Sequence, residues 1–208
     1  MTSHTPETNR ILSTLPGEES GRLSAHLQRV SFARGQILYR AGDMPGHLYF
    51  PLTLVAALMA VGKSGATTAL ALIGREGGIG LMETLAGEPM PHETVALMPG
   101  EAYRLRADRA PLLFVPGNAL LSATLNHGHW LMSQIAQTAF CNLHHTLDQR
   151  LCRWLLSIAY RTSDAELRLT EAQIADVLGV RRESVSQATV RLQEEGLIRH
   201  NRGMVEIL

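Results

Sequence analysis

The chain is short of several residue types that usually announce a mechanism. It has two cysteines, Cys141 and Cys152, among 208 residues. Two thiols make no disulfide framework, and two per chain leave a four-thiolate iron–sulfur site incomplete without a partner chain. Both lie in helical, apolar surroundings and read as buried thiols, with a redox sensor as the alternative. Lysine is almost absent: of 19 basic residues only Lys63 is not arginine. Arginine suits bidentate contacts to guanine and phosphate, although GC-rich coding gives the same bias. No apolar run reaches the ~18 residues needed to span a bilayer. The polar stretch 1–10 lacks the apolar core of a secretory signal, so a cytoplasmic protein without membrane contact is expected. No nucleophile elbow, phosphate-binding loop or dinucleotide fingerprint is present. Neither an enzyme nor a cofactor is expected.

Nine histidines raise the question of a metal. The closest pairs are His127 with His129, and His144 with His145. Residues one or two apart do not share a helix face, so neither pair chelates well, and no metal site is expected. The formal net charge is zero. That value excludes no partner; the distribution of charge is what matters.

What is present falls into three stretches. Ile11, Leu12 and Leu15 before Pro16 predict a short helix, capped by Thr8 or Asn9, and a second follows over 20–27. From about Val30 to Leu113, short apolar segments are broken by glycine and proline. They cover 36–39, 47–50, 54–61, 67–73, 93–97 and 102–105, the pattern of a barrel or double-sheet roll. Residues 74–80 hold four glycines and read as a turn within the roll, with no strand-then-helix frame around them. From 118 to 147 there is no proline and one glycine, Gly128. Met132, Ile135, Ala139 and Asn142 recur at coiled-coil spacing, and Leu121 and Leu125 extend the row. This predicts a long dimerisation helix, or else a helix packed on its own domain. A second amphipathic helix covers 148–160 and breaks at Thr162-Ser163-Asp164.

The last forty residues are the most specific. Thr170, with Gln173 three positions on, forms a capping box. Ile174, Val177 and Leu178 make a buried stripe, and Gly179 supplies a left-handed turn. A second helix from about Arg181 to Glu194 buries Val185, Ala188 and Leu192. Arg182, Glu183, Ser186, Gln187 and Val190 then face outward. Arginine can donate twice to guanine, glutamate can accept from cytosine N4, and glutamine can pair with adenine. Arg181 and Arg191 flank this set at phosphate distance. A glycine-turned hairpin over 197–208 carries Arg199, His200 and Arg202 at its tip, as a wing on the DNA backbone would. A solvated helix face is the bland alternative. The capped first helix and its glycine turn favour DNA reading.

With these motifs in view, the chain resembles the Crp/Fnr family of bacterial transcription regulators along nearly its whole length. Residues 169–198 carry the resemblance most specifically. Gly35-Gln36-Ile37-Leu38-Tyr39, Ala41-Gly42-Asp43 and His47-Leu48-Tyr49-Phe50-Pro51 carry it in the roll. The resemblance implies an α+β fold: an N-terminal double-stranded β-helix (jelly-roll) domain over 1–116, a dimerisation helix over 117–147 and a winged helix-turn-helix over 148–208. It implies that Arg182 and Glu183 read bases and that Thr170 meets phosphate. Gln187 stands where the family has a second arginine, so that base step differs. Cyclic-nucleotide binders of the family carry a Gly-Glu pair and an Arg-Ser or Arg-Thr pair in the roll. Here those regions read Gly74-Arg75-Glu76-Gly77 and His92-Glu93-Thr94, without the phosphate-gripping arginine. Glu93 would repel a phosphate, so cAMP is not the expected effector. Gly74, Arg75, Glu76, Gly77, His92 and Thr94 remain the candidate pocket for an unidentified small molecule. The family's N-terminal iron–sulfur cysteine cluster is absent too.

The expected protein is a homodimeric regulator that binds double-stranded DNA at a palindromic operator, with RNA polymerase as a possible partner. Its DNA-binding set is Thr170, Arg181, Arg182, Glu183, Ser186, Gln187, Arg191 and Arg202. A small-molecule sensor with secondary or lost DNA binding is the second reading. A roll enzyme with a helical appendage is the third.

Overall fold

The stretch from Leu54 to Met59 contains no polar side chain, and every one of its residues is buried. A strand with one wet face alternates; one covered on both faces does not. The computed structural model describes residues 9–201 and 203–208 and shows what covers each face. Two short helices, α1 (Arg10–Ser13) and α2 (Gly17–Ser24), lead into strands β1 (Gln28–Phe32), β2 (Ile37–Tyr39), β3 (His47–Pro51), β4 (Val55–Val61) and β5 (Thr67–Ile73). Helix α3 (Leu81–Ala86), strands β6 (Glu93–Met98) and β7 (Gly100–Arg106), and helix α4 (Ala110–Leu113) follow. Then come α5 (Ala119–His144), α6 (Leu147–Thr162), β8 (Glu166–Leu167), α7 (Glu171–Leu178), α8 (Arg182–Glu194), β9 (Ile198–Asn201) and β10 (Met204–Ile207).

The roll is two antiparallel sheets, ordered β1-β7-β3 and β2-β6-β4-β5. Leu54, Ala56 and Leu58 point into the roll with Ala71, Ile73 and Ala96. Val55, Ala57 and Met59 point the other way and join Leu151, Trp154, Ile158, Ile174 and Val177 in a second cluster. The register of β4 and β5 shifts where Leu58 pairs with Ala71 and Met59 with Ala69, leaving Leu70 over. That bulge explains why Ala69 and Ala71, two apart, serve opposite faces. The C-terminal module therefore has no separate core: its apolar residues close over the outer face of the roll.

Three polar ties reinforce this join. Thr67 and Thr68 donate to the carbonyls of Asp176 and Val177 at 3.3 and 3.4 Å, near the end of α7. Gln134 on α5 accepts from the Leu72 amide at 2.8 Å and donates to its carbonyl at 3.1 Å, completing the edge of β5. The third is ionic. Arg161, at the end of α6, donates from Nε to Glu76 Oε1 at 2.8 Å, with side chains 5% and 9% exposed. Its other nitrogens reach the carbonyls of Ser157 and Leu72. Glu76 also accepts from the Gly74 amide.

Several expectations are corrected. The second helix is Gly17–Ser24, not 20–27. It starts directly after Pro16, with Glu18 and Glu19 in its first turn, where the helix dipole favours acids. Asn9 caps α1 through the amides of Ile11 and Leu12; Thr8, the other expected cap, lies outside the described residues. Residues 74–80 do have a strand before them and a helix, α3, after them. They are also clamped by α5. His127 Nε2 lies 3.0 Å from the Gly78 carbonyl, and a Cβ on Gly77 would fall 2.1 Å from the imidazole ring. Only glycine admits that approach.

Breaking a buried ion pair strands a charge and costs about 3–5 kcal/mol. Arg161→Met is expected to lower the urea unfolding free energy at pH 7 by ~3 kcal/mol. Adding Glu76→Gln should restore at least half of it; equal loss in both variants contradicts the pairing. A second prediction concerns acid. Burial holds His127 below the usual imidazole range, and burial acts on His47 in the same direction. The unfolded chain then binds more protons than the folded one below about pH 6.5. Stability is full above that pH and falls as the pH drops toward the folded values. His127→Gln should flatten the decline, leaving the part due to His47; an unchanged slope refutes the assignment.

Candidate nucleic-acid interface

The interface begins with two helices fixed at a set angle. Thr170 caps α7: its hydroxyl accepts from the Gln173 amide at 3.3 Å, while Gln173 Oε1 accepts from the Thr170 amide at 3.0 Å. Gly179 ends the helix at φ +66°. Its left-handed backbone redirects the chain within one residue, which a β-carbon would oppose. Arg181 is the N-cap of α8 in extended conformation, so the helix proper starts at Arg182. Val185, Ala188 and Leu192 are fully buried. Thr189, also buried, returns its hydroxyl to the Val185 and Ser186 carbonyls. This apolar face seats α8 on α6 and α7.

The opposite face is wet. Arg181, Arg182, Glu183, Gln187, Val190 and Arg191 are exposed, and Ser186 is half-buried. The side chains expected to read bases thus lie together on one surface. Arg182 is 70% exposed, and its Nε is 3.3 Å from Glu171 Oε2 at the start of α7. In high dielectric such a pair is weak and readily exchanged. Arg191 differs. It forks onto Asp148 at 2.8 and 2.6 Å, joining the last turn of α8 to the first turn of α6. Its hydrogen bonds hold the Asp148 carboxyl below the usual range. Arg191, expected as a phosphate contact, also ties α8 to α6 through this fork.

The wing is a three-stranded sheet ordered β8-β10-β9, with Gly203 at φ +81° in the turn. The two-residue β8 was missed by the sequence reading, being too short to show alternation. Arg199 is ion-paired with Glu206 across the hairpin. Gln193 Oε1 on α8 accepts from the His200 amide at 2.9 Å and ties the wing to the helix. Arg202 lies outside the described residues. The residues that orient the interface, namely Asp148, Glu171 and Gln193, were not found from sequence. Asp148 and Arg191 are 43 positions apart, and no local spacing marks them.

The long helix α5 divides its faces differently from the expected seam. Leu125, Met132 and Ala139 are exposed, as expected, with Asn142 beside them. Leu121 and Ile135 instead lean on clusters of their own roll. Phe140 and Leu143 take their places on the outer strip, Leu143 being 82% exposed. The helix is amphipathic on two sides, and a single seven-residue pattern mixed them.

The expected effector residues do not form one site. A cavity of about 440 Å³ lies between the roll and α5, and His92 lines it with Gly78, Met90, His127, His129 and Met132. Thr94 is buried in β6. Glu76 is spent on Arg161, and it lines a different crevice with α1 and α6. Gly77 packs on His127. Gly74 lies against Arg161, and Arg75 accepts from the Arg10 amide through its carbonyl.

Comparison with known proteins agrees with this architecture. Residues 29–111 match the model of the cyclic nucleotide-binding domain, and residues 149–208 match that of the Crp-like helix-turn-helix domain. No curated protein matches the chain. Among solved structures, the c-di-GMP-responsive global regulator CLP of Xanthomonas campestris is similar with a TM-score of 0.75 at 18% identity, over 92% of this chain and 99% of that one. FixK2 of Bradyrhizobium japonicum gives 0.74 at 14% identity, over 87% and 92%. A Crp/Fnr-family transcriptional regulator of Thermus thermophilus gives 0.72 at 21% identity, over 87% and 93%. With the roll, the long helix and the winged helix-turn-helix in this order, the chain belongs to the Crp/Fnr family of transcription regulators.

Proposed function

We propose that this DNA-binding regulator acts as a homodimer on an inverted repeat and answers to an uncharged or weakly polar small molecule rather than cAMP. One observation carries the DNA-reading part: the exposed face of α8 gathers Arg182, Glu183 and Gln187 directly above a fully buried apolar face. Inserted in a major groove, these three meet base edges. Arg181 and Thr170 stand beside them at phosphate height, and the wing of β9 and β10 follows the backbone. Two copies would present their α8 helices ~34 Å apart. Ser186, half-buried, lies at the edge of this set.

The strip of Leu125, Met132, Ala139, Phe140 and Leu143 along α5 supports the dimer. Apolar side chains this exposed on one helix face mark an interaction surface. Leu125 and Met132 also line the 440 Å³ cavity, so a molecule bound there touches the seam itself. A ligand shifts the arrangement only if it binds one form better, and this shared wall supplies such a difference. Among the described residues the cavity is lined by no arginine or lysine, and Glu83 adds an acid. A cyclic phosphate would find no guanidinium or ammonium group to hold it. Among the described residues no helix is long and apolar enough to cross a membrane. The regulator works where the chromosome is, in the cytoplasm, with RNA polymerase as the partner through which it acts.

The second reading keeps the sensor and loses the operator. The forked engagement of Arg191 by Asp148 favours it, because that cation already has a partner. A gel shift with the upstream region of its own gene separates the two readings.

Arg182→Ala is expected to cost ~1–3 kcal/mol of operator affinity and to relax preference at one base pair per half-site. Unchanged selectivity in a binding assay over single-base operator variants refutes the base-reading role. Leu143→Glu is expected to convert dimer to monomer in sedimentation equilibrium while leaving the unfolding midpoint intact. A dimer that persists would show that the strip is not the seam.

A further inference from the structure

A crevice of about 560 Å³ opens between α1, α5 and α6, apart from the roll cavity. Arg10 and Thr14 line one side, Asn126 and Trp130 come from α5, Tyr160 comes from α6, and Glu76 lies at the base. Its volume is that of a small-molecule site. Arg10 and Glu76 are its charged residues. Glu76 is neutralised by Arg161, both side chains being nine-tenths buried or more. Arg10 has no carboxylate partner among the described residues; its guanidinium donates to the Tyr160 hydroxyl at 2.8 Å and lies 5.6 Å from the centre of that ring.

Two aromatic rings stand partly uncovered in the same crevice. Trp130 is backed by the Arg161 guanidinium, 5.4 Å from its ring, and by His127 stacked at 6.0 Å. Tyr160 is more than half exposed. A flat apolar body covers such rings favourably, and a single negative charge at its edge meets Arg10.

We propose that this crevice is a second ligand site, one that takes a small aromatic carboxylate, with the ring on Trp130 and Tyr160 and the carboxylate on Arg10. The walls belong to helices on both sides of the break between α5 and α6. An occupant joins the N-terminal helix and the dimer helix to the first helix of the DNA-binding module. Bound there, it touches Trp130 directly in front of Arg161, the residue that ties α6 to the roll. The site makes no use of the α8 face, so it stands or falls independently of how the protein reads DNA.

The test is isothermal titration of the full-length protein, without DNA, using 1-naphthaleneacetate and its neutral analogue 2-(1-naphthyl)ethanol. The acid is expected to bind with a dissociation constant below 1 mM, on the order expected for a ligand of this size. The alcohol is expected to bind at least tenfold more weakly. Arg10→Gln, at an exposed position, should weaken the acid at least tenfold while leaving the urea midpoint unchanged. Trp130→Leu should weaken acid and alcohol alike. Absence of heat up to 5 mM acid would overturn the proposal. So would equal binding of acid and alcohol, or an affinity that Arg10→Gln does not move.

Discussion

One sheet, covered on both faces, organises the molecule. The β2-β6-β4-β5 sheet turns one side into the roll and gives the other to α6 and α7. Each face is dry, so β4 cannot carry a charge, and it carries none between Val55 and Met59. The DNA-binding module inherits its position from this surface. Thr67 and Thr68 meet the end of α7, Arg161 meets the loop after β5, and α8 is then laid across α6 and α7. Apolar burial supplies the main stabilisation, and the polar ties fix the angle.

The roll and the DNA-binding module consequently share structure. The glycine-rich loop 74–80 is held from one side by His127 of α5 and from the other by Arg161 of α6. A shift of this loop reaches α5 and the DNA-binding module at once. The roll cavity touches the same loop through Gly78 and Gly80, and it touches the exposed strip of α5 through Leu125 and Met132. Packed interiors respond to occupancy by discrete rearrangement more than by gradual strain. Under the proposed function, these contacts are the route from a bound molecule to the spacing of the paired recognition helices.

Much of this was legible in the sequence, for identifiable reasons. The strands of the roll followed from short apolar segments between glycines and prolines. The capping box at Thr170, the glycine at 179 and the α8 face followed from local rules that act within four residues. Contacts between distant segments were not legible. Asp148 on Arg191 and Glu76 on Arg161 depend on how helices cross, which no spacing encodes. The shared core was signalled but not read: the unbroken apolar run in β4, in place of alternation, is the mark of a strand with two dry faces. On α5 the heptad row merged two faces, so Leu121 and Ile135 were assigned outward and Leu143 was overlooked.

The central claim is that paired α8 helices, held one DNA turn apart, read an inverted repeat. Selection of bound duplexes from a random-sequence library at moderate salt tests it most directly. The account predicts enrichment of a palindrome whose half-site centres are about 10 base pairs apart. Recovery of a lone, unrepeated half-site, or of no consensus at all, would contradict it.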